Sequence, residues 1–583
     1  MWTLLFFYRQ VRKDTHMGSY GLLLLLVLPA YFIYAISASL RAARQRRDDA
    51  TAHFGTFREH PQEDWESLRT QWELQKKAVA YEVDDITWND LDMDRIFHRI
   101  NACLTTPGEE ALYTRLRSLP GTGDDWEPAL SALDQNPDLR RKIQTLLAHM
   151  GKSSESGLPE LLLNPDSYRL PHAGLLRVAS FLPLAAASLF FLPVPMGAAI
   201  ITLLPSLILN AVLYYWGGKK LQGRLHTIRY TRSLLWLIRK LICLPMPGLN
   251  AQQAAMQYAY RPFSRLRGAF SGAVQEGMAA GDIGAIMMFV QVFFLTELRA
   301  YNRVMTHVAK HTGELRGLYE AVGRLDAMIC TLSLRKSLPR FCLPHFHEQM
   351  ALQAEDAVHP LLENGVGNSA VFQQGVLITG SNASGKSTFI KTLAVNALLA
   401  QALNTCCAAA FALPRARVLS SMALRDNLAG GESYFVVEVK SFRRILHAVK
   451  TAPCLCFVDE ILRGTNTVER IAASAAVLRS LQQSNSLCVA ATHDIELAAI
   501  LNGLYDNYHF QEELKDRSIY FDYKLRAGPS HSRNALLLLR AFDFPDHVVK
   551  EAMEMVNSFE WEHRWPKPES LKGGGSPASS QAG

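Results

Sequence analysis

The chain has 583 residues, 49% of them apolar, and a formal net charge of +7 at pH 7. This length exceeds the usual range of a single domain, and the apolar fraction is ample for buried cores. So small an excess of positive charge argues against a dedicated tail for nucleic acid. The flanks of membrane spans can account for much of it.

The nine cysteines include no C-x-x-C pair, which argues against a zinc or disulfide framework. Cys406, Cys407, Cys454 and Cys456 lie in or beside apolar stretches that are predicted to be buried. We predict that they are reduced packing residues, as is usual in the cytosol.

The first predicted element is a membrane span over Ser19 to Leu40, because these 22 residues carry no charge. At about 1.5 Å per residue they extend about 33 Å, which matches the hydrocarbon core of a bilayer. A cleaved signal peptide is the alternative, although the apolar run is longer than the usual core of such a peptide. We predict a membrane anchor over 1–45 and a juxtamembrane segment over 46–83.

Basic residues flank this span on both sides. Those after it favour a cytosolic C-terminal side, whereas those before it favour the opposite orientation, so the predicted N-out topology depends on their balance. They are Arg9, Arg12 and Lys13 before the span, and Arg41, Arg44, Arg46 and Arg47 after it.

A helical region is predicted over 84–345, and it contains the block Val178 to Trp216, which has no Asp, Glu, Lys, Arg or His over 39 residues. One helix of that length would measure about 58 Å, nearly twice the hydrocarbon thickness, and a Pro-Val-Pro sequence interrupts it. We therefore predict a transmembrane hairpin over 178–216, with both ends in the cytosol beside Arg177 and Lys219. A buried helical hairpin of a soluble core is the alternative.

A shorter apolar segment, Ile283 to Thr296, has 14 residues and lies between Asp282 and Glu297. It is too short to cross a bilayer as a helix. We predict a buried or interfacial helix there.

The most specific motif follows the apolar run Gly375 to Thr379, where Gly380 to Ser387 fits G-x-x-x-x-G-K-[ST]. A strand entering such a turn, with a helix predicted over Phe389 to Leu403 after it, lets backbone N–H groups hold phosphate. Lys386 is predicted to reach the β- and γ-phosphates and serve catalysis, and Ser387 to bind Mg²⁺. The predicted ATP-binding residues are Gly380, Ser381, Asn382, Ala383, Ser384, Gly385, Lys386, Ser387 and Thr388.

Two further apolar runs end in polar residues suited to this chemistry. Cys454 to Val458 is predicted to be a buried parallel strand that carries Asp459 and Glu460 to the phosphate site. Asp459 suits the Mg²⁺ shell, and Glu460 suits orienting or deprotonating the attacking water. A strand over Leu487 to Thr492 ends at His493, which is predicted to sense the γ-phosphate.

These segments together resemble the ATPase domain of the MutS family over roughly residues 350 to 558. Four stretches are similar to family motifs: Thr379 to Thr388 to TGPNMGGKST, Asn427 to Glu438 to DLASGRSTFMVE, Asp459 to Thr467 to DEIGRGTST, and Ala491 to Leu497 to ATHYFEL. His359-Pro360 stands where the family has RHP, and Lys524 to Lys550 resembles its closing segment. The resemblance implies a Mg²⁺-dependent ATPase domain that pairs with a second copy, in which Ser433 meets the partner's ATP.

The helical region resembles the core that MutS proteins place before the ATPase domain. Asp84 to Leu91 and Thr105 to Leu112 look like the family's short strand and helix before a T-x-x-G turn and another helix. Leu315 to Leu343, with Leu325-Asp326, resembles its lever helix.

The DNA-binding parts of the family are harder to find. Phe57-Arg58-Glu59 and Phe346-His347-Glu348 fit the Phe-x-Glu wedge motif, but neither has room for the folded platform that such a wedge needs, so we interpret both as coincidences. Between Leu221 and Glu314 little is typical of the family's clamp. The best basic cluster comprises Arg224, Arg229, Arg232, Arg239 and Lys240, and contact with anionic lipid explains it as well as DNA does.

The sequence therefore predicts an α/β P-loop ATPase domain of the ABC/MutS type over 350–558. A helical core with transmembrane helices precedes it, and a disordered tail over 567–583 follows it. The predicted protein is a multi-pass protein of the inner or plasma membrane with a cytoplasmic ATPase domain that uses ATP and Mg²⁺. Its predicted partners are a second copy, membrane lipid and mismatched or branched DNA, as in mismatch repair. The alternatives are an ABC-type transporter subunit and an ATP-binding membrane scaffold, both without a DNA role.

Overall fold

A computed structural model describes most of the chain. The described residues are 48, 51–57, 65–76, 79, 81–119, 126–153, 157–170, 172–222, 224–266, 289–380, 384–422, 434–515, 518–529, 539, 542, 544–562 and 565. Several predictions fall outside them: the span over 19–40, the glycine-loop residues Ser381, Asn382 and Ala383, the trans-acting Ser433 and the tail over 567–583.

Fourteen of the helices with bounds in the described residues precede the first strand, and five lie between or after the strands. They are α1 (Trp65–Gln75), α2 (Asp85–Asp90), α3 (Met93–Ile100), α4 (Thr106–Arg117), α5 (Glu127–Gln135), α6 (Pro137–Met150), α7 (Leu158–Leu163), α8 (Ala173–Ala179), α9 (Leu182–Ser188), α10 (Met196–Gln222), α11 (Leu225–Ile242), α12 (Asn250–Tyr260), α13 (Thr296–Lys310), α14 (Thr312–Ser337), α15 (Lys386–Leu403), α16 (Tyr434–Ala448), α17 (Thr467–Gln482), α18 (Ile495–Ile500) and α19 (Asp546–Glu562).

The chain folds into two compact units whose segments alternate along the sequence. The helical unit contains the described residues of 1–77, 100–114 and 125–337. The α/β unit contains those of 78–99, 115–124 and 338–583. The predicted α/β class of the C-terminal part, after a helical region, is confirmed at this level.

Helix α14 forms much of the core of the helical unit. Leu318, Val322, Leu325 and Ile329 recur at helical spacing and are all buried, so one stripe of the helix is covered by apolar neighbours. In its second half the burial extends around the helix and includes the polar residue Asp326, which has no exposed surface.

The Asp326 carboxylate caps the turn that begins α4. It accepts hydrogen bonds from the backbone N–H groups of Leu104 (3.0 Å) and Thr105 (2.8 Å) and from the Thr105 hydroxyl (2.7 Å). These bonds satisfy donors that the start of a helix otherwise leaves unpaired. Burial nevertheless raises the pKa of Asp326 to about 6, against the lowering effect of these bonds.

The apolar block 178–216 contains the end of α8, all of α9 and most of α10, and its span of a membrane stays a prediction. Pro165–Phe191 and Met196–Lys219 are each long and apolar enough to cross a membrane. The chain reverses between them. A hydrogen bond shows this, in which the Asn210 side-chain amide in α10 donates to the carbonyl of Ala179 (2.9 Å) at the end of α8. Most of α10's apolar surface is uncovered by the rest of the described chain.

The third apolar segment is described only in part. Residues 283–288 lie outside the described part, and 289–294 are helical with Phe289 59% exposed, so the predicted buried or interfacial helix stays a prediction. Leu295, with a φ of +50°, ends this helix, and α13 begins at the next residue.

The α/β unit contains two sheets. Its strands are β1 (His345–His347), β2 (Leu352–Ala357), β3 (Asn368–Phe372), β4 (Gly375–Thr379), β5 (Ala410–Pro414), β6 (Arg417–Ser421), β7 (Cys454–Asp459), β8 (Ser486–Ala491), β9 (Tyr505–Lys515) and β10 (Ser518–Ala527). The smaller sheet has the order β1-β5-β2-β3 and the larger one β10-β9-β4-β8-β7-β6. In the larger sheet β4, β8 and β7 are parallel and wholly buried, as continuous apolar runs predict.

Helix α2 covers the edge of the larger sheet at β6, although it lies more than 300 positions upstream. The Asp90 carboxylate accepts hydrogen bonds from the Ser420 hydroxyl (2.7 Å) and the Met422 N–H (2.9 Å). Asp84 caps α2 and forms an ion pair with Arg444. These contacts protect an edge that would otherwise present unpaired backbone groups.

Candidate functional site

The glycine loop leaves the end of the buried strand β4 and enters α15. Gly380 has a φ of +138° and Gly385 a φ of +103°, which is backbone that residues with a Cβ adopt only under strain. A Cβ on Gly380 would also lie 2.8 Å from the Phe510 carbonyl oxygen. Both ends of the loop therefore need glycine for reasons of geometry.

Lys386 is the first residue of α15 and is almost wholly buried, with 3% of its surface exposed. Its ammonium group donates to the Gly380 carbonyl at 2.6 Å, across the mouth of the loop. It also lies 3.5 Å from the Nε2 atom of His493. The lysine therefore spans the position where an anion at the N-terminus of α15 would bind.

Three strands bring the other predicted residues to the same edge of the sheet. Ala491, at the end of β8, is aligned with Ile378 of β4 on one side and with Asp459 of β7 on the other. Because the carboxyl ends of parallel strands meet at one edge, Asp459, Glu460 and His493 follow the same edge as the glycine loop.

Glu460 lies at the centre of a small charged cluster. Its Oε1 atom is 3.0 Å from His493 Nε2, and its Oε2 atom forms an ion pair with Arg463. Burial opposes ionisation of this carboxyl group. The hydrogen bond from His493 and the charges of Arg463 and Lys386 outweigh burial, so the pKa of Glu460 lies below its ordinary value. Glu460 is therefore ionised at neutral pH.

The backbone that carries Glu460 is strained. Glu460 has a φ of +62° and Leu462 a φ of +57°, in the region that non-glycine residues rarely adopt. The buried Glu438 carboxylate of α16 accepts the Leu462 N–H at 2.6 Å and so holds the turn. Burial raises the pKa of Glu438, against the lowering effect of its backbone hydrogen bonds.

The sequence analysis assigned no functional role to Arg463 or Glu438, although both lie within the segments that resemble family motifs. Arg463 follows Glu460 at a spacing of three, which is a usable signal for an ion pair. Glu438 gave no such signal, because its partner Leu462 is 24 positions away in another element.

A cavity of about 420 Å³ adjoins the start of α15. It opens beside Gly385 and Thr388 and is mostly apolar, with Ala357, His359, Val366, Phe389, Phe510 and Tyr523 in its wall. Burial, together with the charge of Lys391, lowers the pKa of His359 to about 4, so this imidazole is neutral at physiological pH. The sequence indicated His359 through its His-Pro pair but assigned it no role.

The structure thus brings together Gly380, Gly385, Lys386, Glu460 and His493. Asp459 lies beside them, 8% exposed, and Ser387 follows Lys386 in the first turn of α15. Within the described ranges no group of three or more His, Cys, Asp or Glu side chains could hold a metal ion alone.

Residues 376–560 match the family MutS domain V. Two relatives, each named DNA mismatch repair protein MutS, come from Leptospira interrogans serogroup Icterohaemorrhagiae, serovar copenhageni (strain Fiocruz L1-130) and serovar Lai (strain 56601). Each is 28% identical to this chain over 280 residues, which are 45% of the chain and 33% of the relative.

The aligned part therefore spans about a third of the length of the curated relatives. The matched domain begins inside β4 and runs through the glycine loop, the Asp459-Glu460 pair and His493, so it contains the site described above. Neither match favours the transporter or the scaffold alternative. Residues 376–560 thus match MutS domain V, and the chain is similar to the MutS relatives over the aligned 280 residues.

Proposed function

We propose that the α/β unit binds and hydrolyses ATP with Mg²⁺, as a P-loop ATPase domain. The convergence of Lys386, His493 and Glu460 at the mouth of the glycine loop is the observation that carries this proposal. Two nitrogen donors and an ionised carboxylate on one edge are the parts that a phosphate-binding site and a water-orienting group require.

In this proposal each side chain has a separate task. The N–H groups at the start of α15 bind phosphate oxygens, aided by the positive end of the helix. When ATP binds, the Lys386 ammonium group leaves the Gly380 carbonyl and donates instead to the β- and γ-phosphates. Glu460, already ionised, accepts a hydrogen bond from the attacking water and orients it towards the γ-phosphate, while His493 links Glu460 to Lys386.

Ser387 and Asp459 are the residues that would hold Mg²⁺. A hydroxyl and one carboxylate suit this ion, which keeps several waters and takes its other ligands from substrate phosphates, so a larger protein cluster is not required. When bound, Mg²⁺ neutralises charge that develops on the β- and γ-phosphate oxygens.

The cavity beside Gly385 and Thr388 is proposed to take the nucleoside. A site of this kind is mostly apolar with a few polar groups that fix orientation. The ring of His359 and the phenol ring of Tyr523 offer flat surfaces on which a base can stack. Because His359 is neutral, its ring is not repelled by the charge of Lys391.

We also propose that two copies pair across the nucleotide, with Ser433 completing the partner's site, and that the cycle is coupled to mismatched or branched DNA. Support for the pairing comes from the motif around Ser433. Support for a DNA role comes from the relatives, which are named DNA mismatch repair proteins.

We expect the purified full-length protein, in detergent with Mg²⁺ and ATP, to release phosphate. Lys386→Ala should lower turnover at least about 100-fold and weaken ATP binding, because it removes the buried charge that meets the phosphates. Lys450→Ala, in the exposed turn that follows α16, is the matched control and should behave as the parent protein.

Phosphate release and DNA binding, both measured with mismatched, branched and plain duplexes at rising salt, test the coupling to DNA. Stimulation by one structure that persists at moderate salt is the expected result. No phosphate release by the parent protein would refute the ATPase proposal. Equal binding of all duplexes that is lost at moderate salt would refute the DNA role alone.

We further propose that the α8–α10 hairpin spans the membrane and, with the segment 1–45, tethers the ATPase domain at its cytoplasmic face. The exposed apolar surface of α10, including Ile201 (72% exposed) and Trp216 (74%), supports this. So large an apolar surface on a soluble protein would be unusual, whereas lipid covers it without cost.

A membrane-impermeant maleimide tests this topology. We expect a Val194→Cys thiol, in the turn between the two helices, to react in intact cells. A Gly174→Cys thiol at the other end should react only after the membrane is opened, as should the exposed native Cys243. Labelling of both introduced thiols only after lysis would contradict the transmembrane hairpin.

A further inference from the structure

Cys342 and Cys406 face each other in the α/β unit, away from the nucleotide site. They form an isolated antiparallel bridge in which each N–H donates to the other's carbonyl, both at 3.0 Å. In such a hydrogen-bonded pair the Cα atoms are about 5.5 Å apart and the side chains leave the same face. That separation lies within the range that disulfides span, so little backbone movement is needed to join them.

The two thiols differ in access. Cys342 is half-buried and Cys406 is fully buried beneath it. Their side chains are hydrogen-bonded, and this bond lowers the pKa of Cys342 although burial opposes the shift. An accessible thiol with thiolate character next to a buried thiol is the arrangement in which the first is oxidised and the second resolves it.

The other cysteines lack this combination. Burial raises the pKa of Cys407 to about 12, so the neighbour of Cys406 is a poor reactant. Cys103 and Cys330 are also in contact, but both are buried, and burial raises the pKa of Cys103. Cys243 is exposed and has no cysteine partner among the described residues.

We propose that Cys342 and Cys406 are an oxidation site that forms a reversible disulfide when the protein meets hydrogen peroxide. The Cys342 thiolate attacks the peroxide O–O bond and, with one proton, gives a sulfenic acid and water. The Cys406 sulfur then attacks the Cys342 sulfur, the S–OH bond breaks, and the hydroxide leaves as water with the Cys406 proton. A cytosolic dithiol restores both thiols by exchange and becomes oxidised itself.

The location gives the bond a structural consequence. Cys342 lies in the segment that leads from α14 to β1, and Cys406 follows the end of α15, the helix that begins at Lys386. The next residue, Cys407, donates its N–H to Asn396 of α15 and accepts the Val358 N–H beside His359. Oxidation would therefore fix the chain after α14 to the far end of the helix that opens the candidate site.

Peptide mapping of the full-length protein tests this proposal. After brief treatment with hydrogen peroxide and blocking of remaining thiols, we expect one linked pair of peptides containing Cys342 and Cys406, which a dithiol reductant separates. Cys407→Ser should retain the link, whereas Cys342→Ser and Cys406→Ser should lose it. Because Cys407→Ser alters the adjacent position, it also controls for local disturbance.

The outcome does not depend on ATP hydrolysis. A link through Cys407, a sulfinic acid at Cys342 without any link, or unreacted thiols at peroxide concentrations that oxidise Cys243 would each overturn the proposal. Thermal unfolding of each variant before treatment confirms that the lost link is not caused by misfolding.

Discussion

Glu460→Gln is expected to lower ATP turnover by about 100- to 1,000-fold while the protein still binds ATP. The substitution keeps the size and shape of the side chain but removes its negative charge. An amide orients water poorly because it is a weaker acceptor than a carboxylate. Removing a negative charge near the phosphates does not weaken their attraction to Lys386, so ATP binding should persist.

The surroundings of Glu460 set the sign of its pH dependence. Its pKa lies below the ordinary value through the hydrogen bond from His493 and the charges of Arg463 and Lys386, despite burial. The group is therefore ionised throughout the neutral range, and turnover should show no loss between pH 8 and pH 6 from its protonation. A rate lost over that range would indicate titration of another group.

Phosphate release and equilibrium ATP binding, measured on the same preparations, separate catalysis from binding. Glu355→Gln, on an exposed face of the smaller sheet, is the matched control, because it makes the same chemical change away from the site. If Glu460→Gln turned over ATP within about threefold of the parent protein, the assigned role of Glu460 would be wrong. Loss of binding together with turnover would indicate a structural role.

The local strands of the site are predictable because each is an apolar run that ends in a glycine or in polar residues. The predicted strand Gly375 to Thr379 coincides with β4, and the strand predicted over Leu487 to Thr492 is shifted by one residue from β8. The helix predicted from Phe389 begins at Lys386, since the motif's last residues already adopt helical backbone. The spacing of apolar residues and the residues that begin or end an element are local properties, so a single sequence contains them.

The partners of buried polar groups are not predictable in this way. Glu438 holds Leu462 across 24 positions, Asp326 caps Thr105 across 221, and Asp90 meets Ser420 across 330. Each pairing depends on how elements that are distant in the sequence pack together. From the sequence alone, any other carboxylate of the same region would be an equally suitable hydrogen-bond partner. The alternation of the two units along the chain is hidden for the same reason.

Gly108→Ala is expected to destabilise the helical unit by about 3 kcal/mol, although alanine is the better helix former. A Cβ on Gly108 would lie 2.1 Å from Asp326 Oδ2 and 2.8 Å from Asp326 Cβ. The carboxylate cannot turn aside without releasing the N–H groups of Leu104 and Thr105, and an unpaired buried donor costs about 1–3 kcal/mol. The thermal midpoint should fall by roughly 6–12 °C.

Gly317→Ala is the matched control, because this glycine lies on α14 and, among the described residues, no atom beyond its own stretch of the helix lies within 4 Å of an added Cβ. It should raise the midpoint by roughly 2–4 °C, through helix propensity alone. In a double-mutant cycle, Asp326→Ala should partly relieve Gly108→Ala, so their combined cost falls short of the sum by at least about 1 kcal/mol. Additive costs, or a Gly108→Ala midpoint equal to that of the parent protein, would mean that the close packing of α4 against Asp326 does not determine stability.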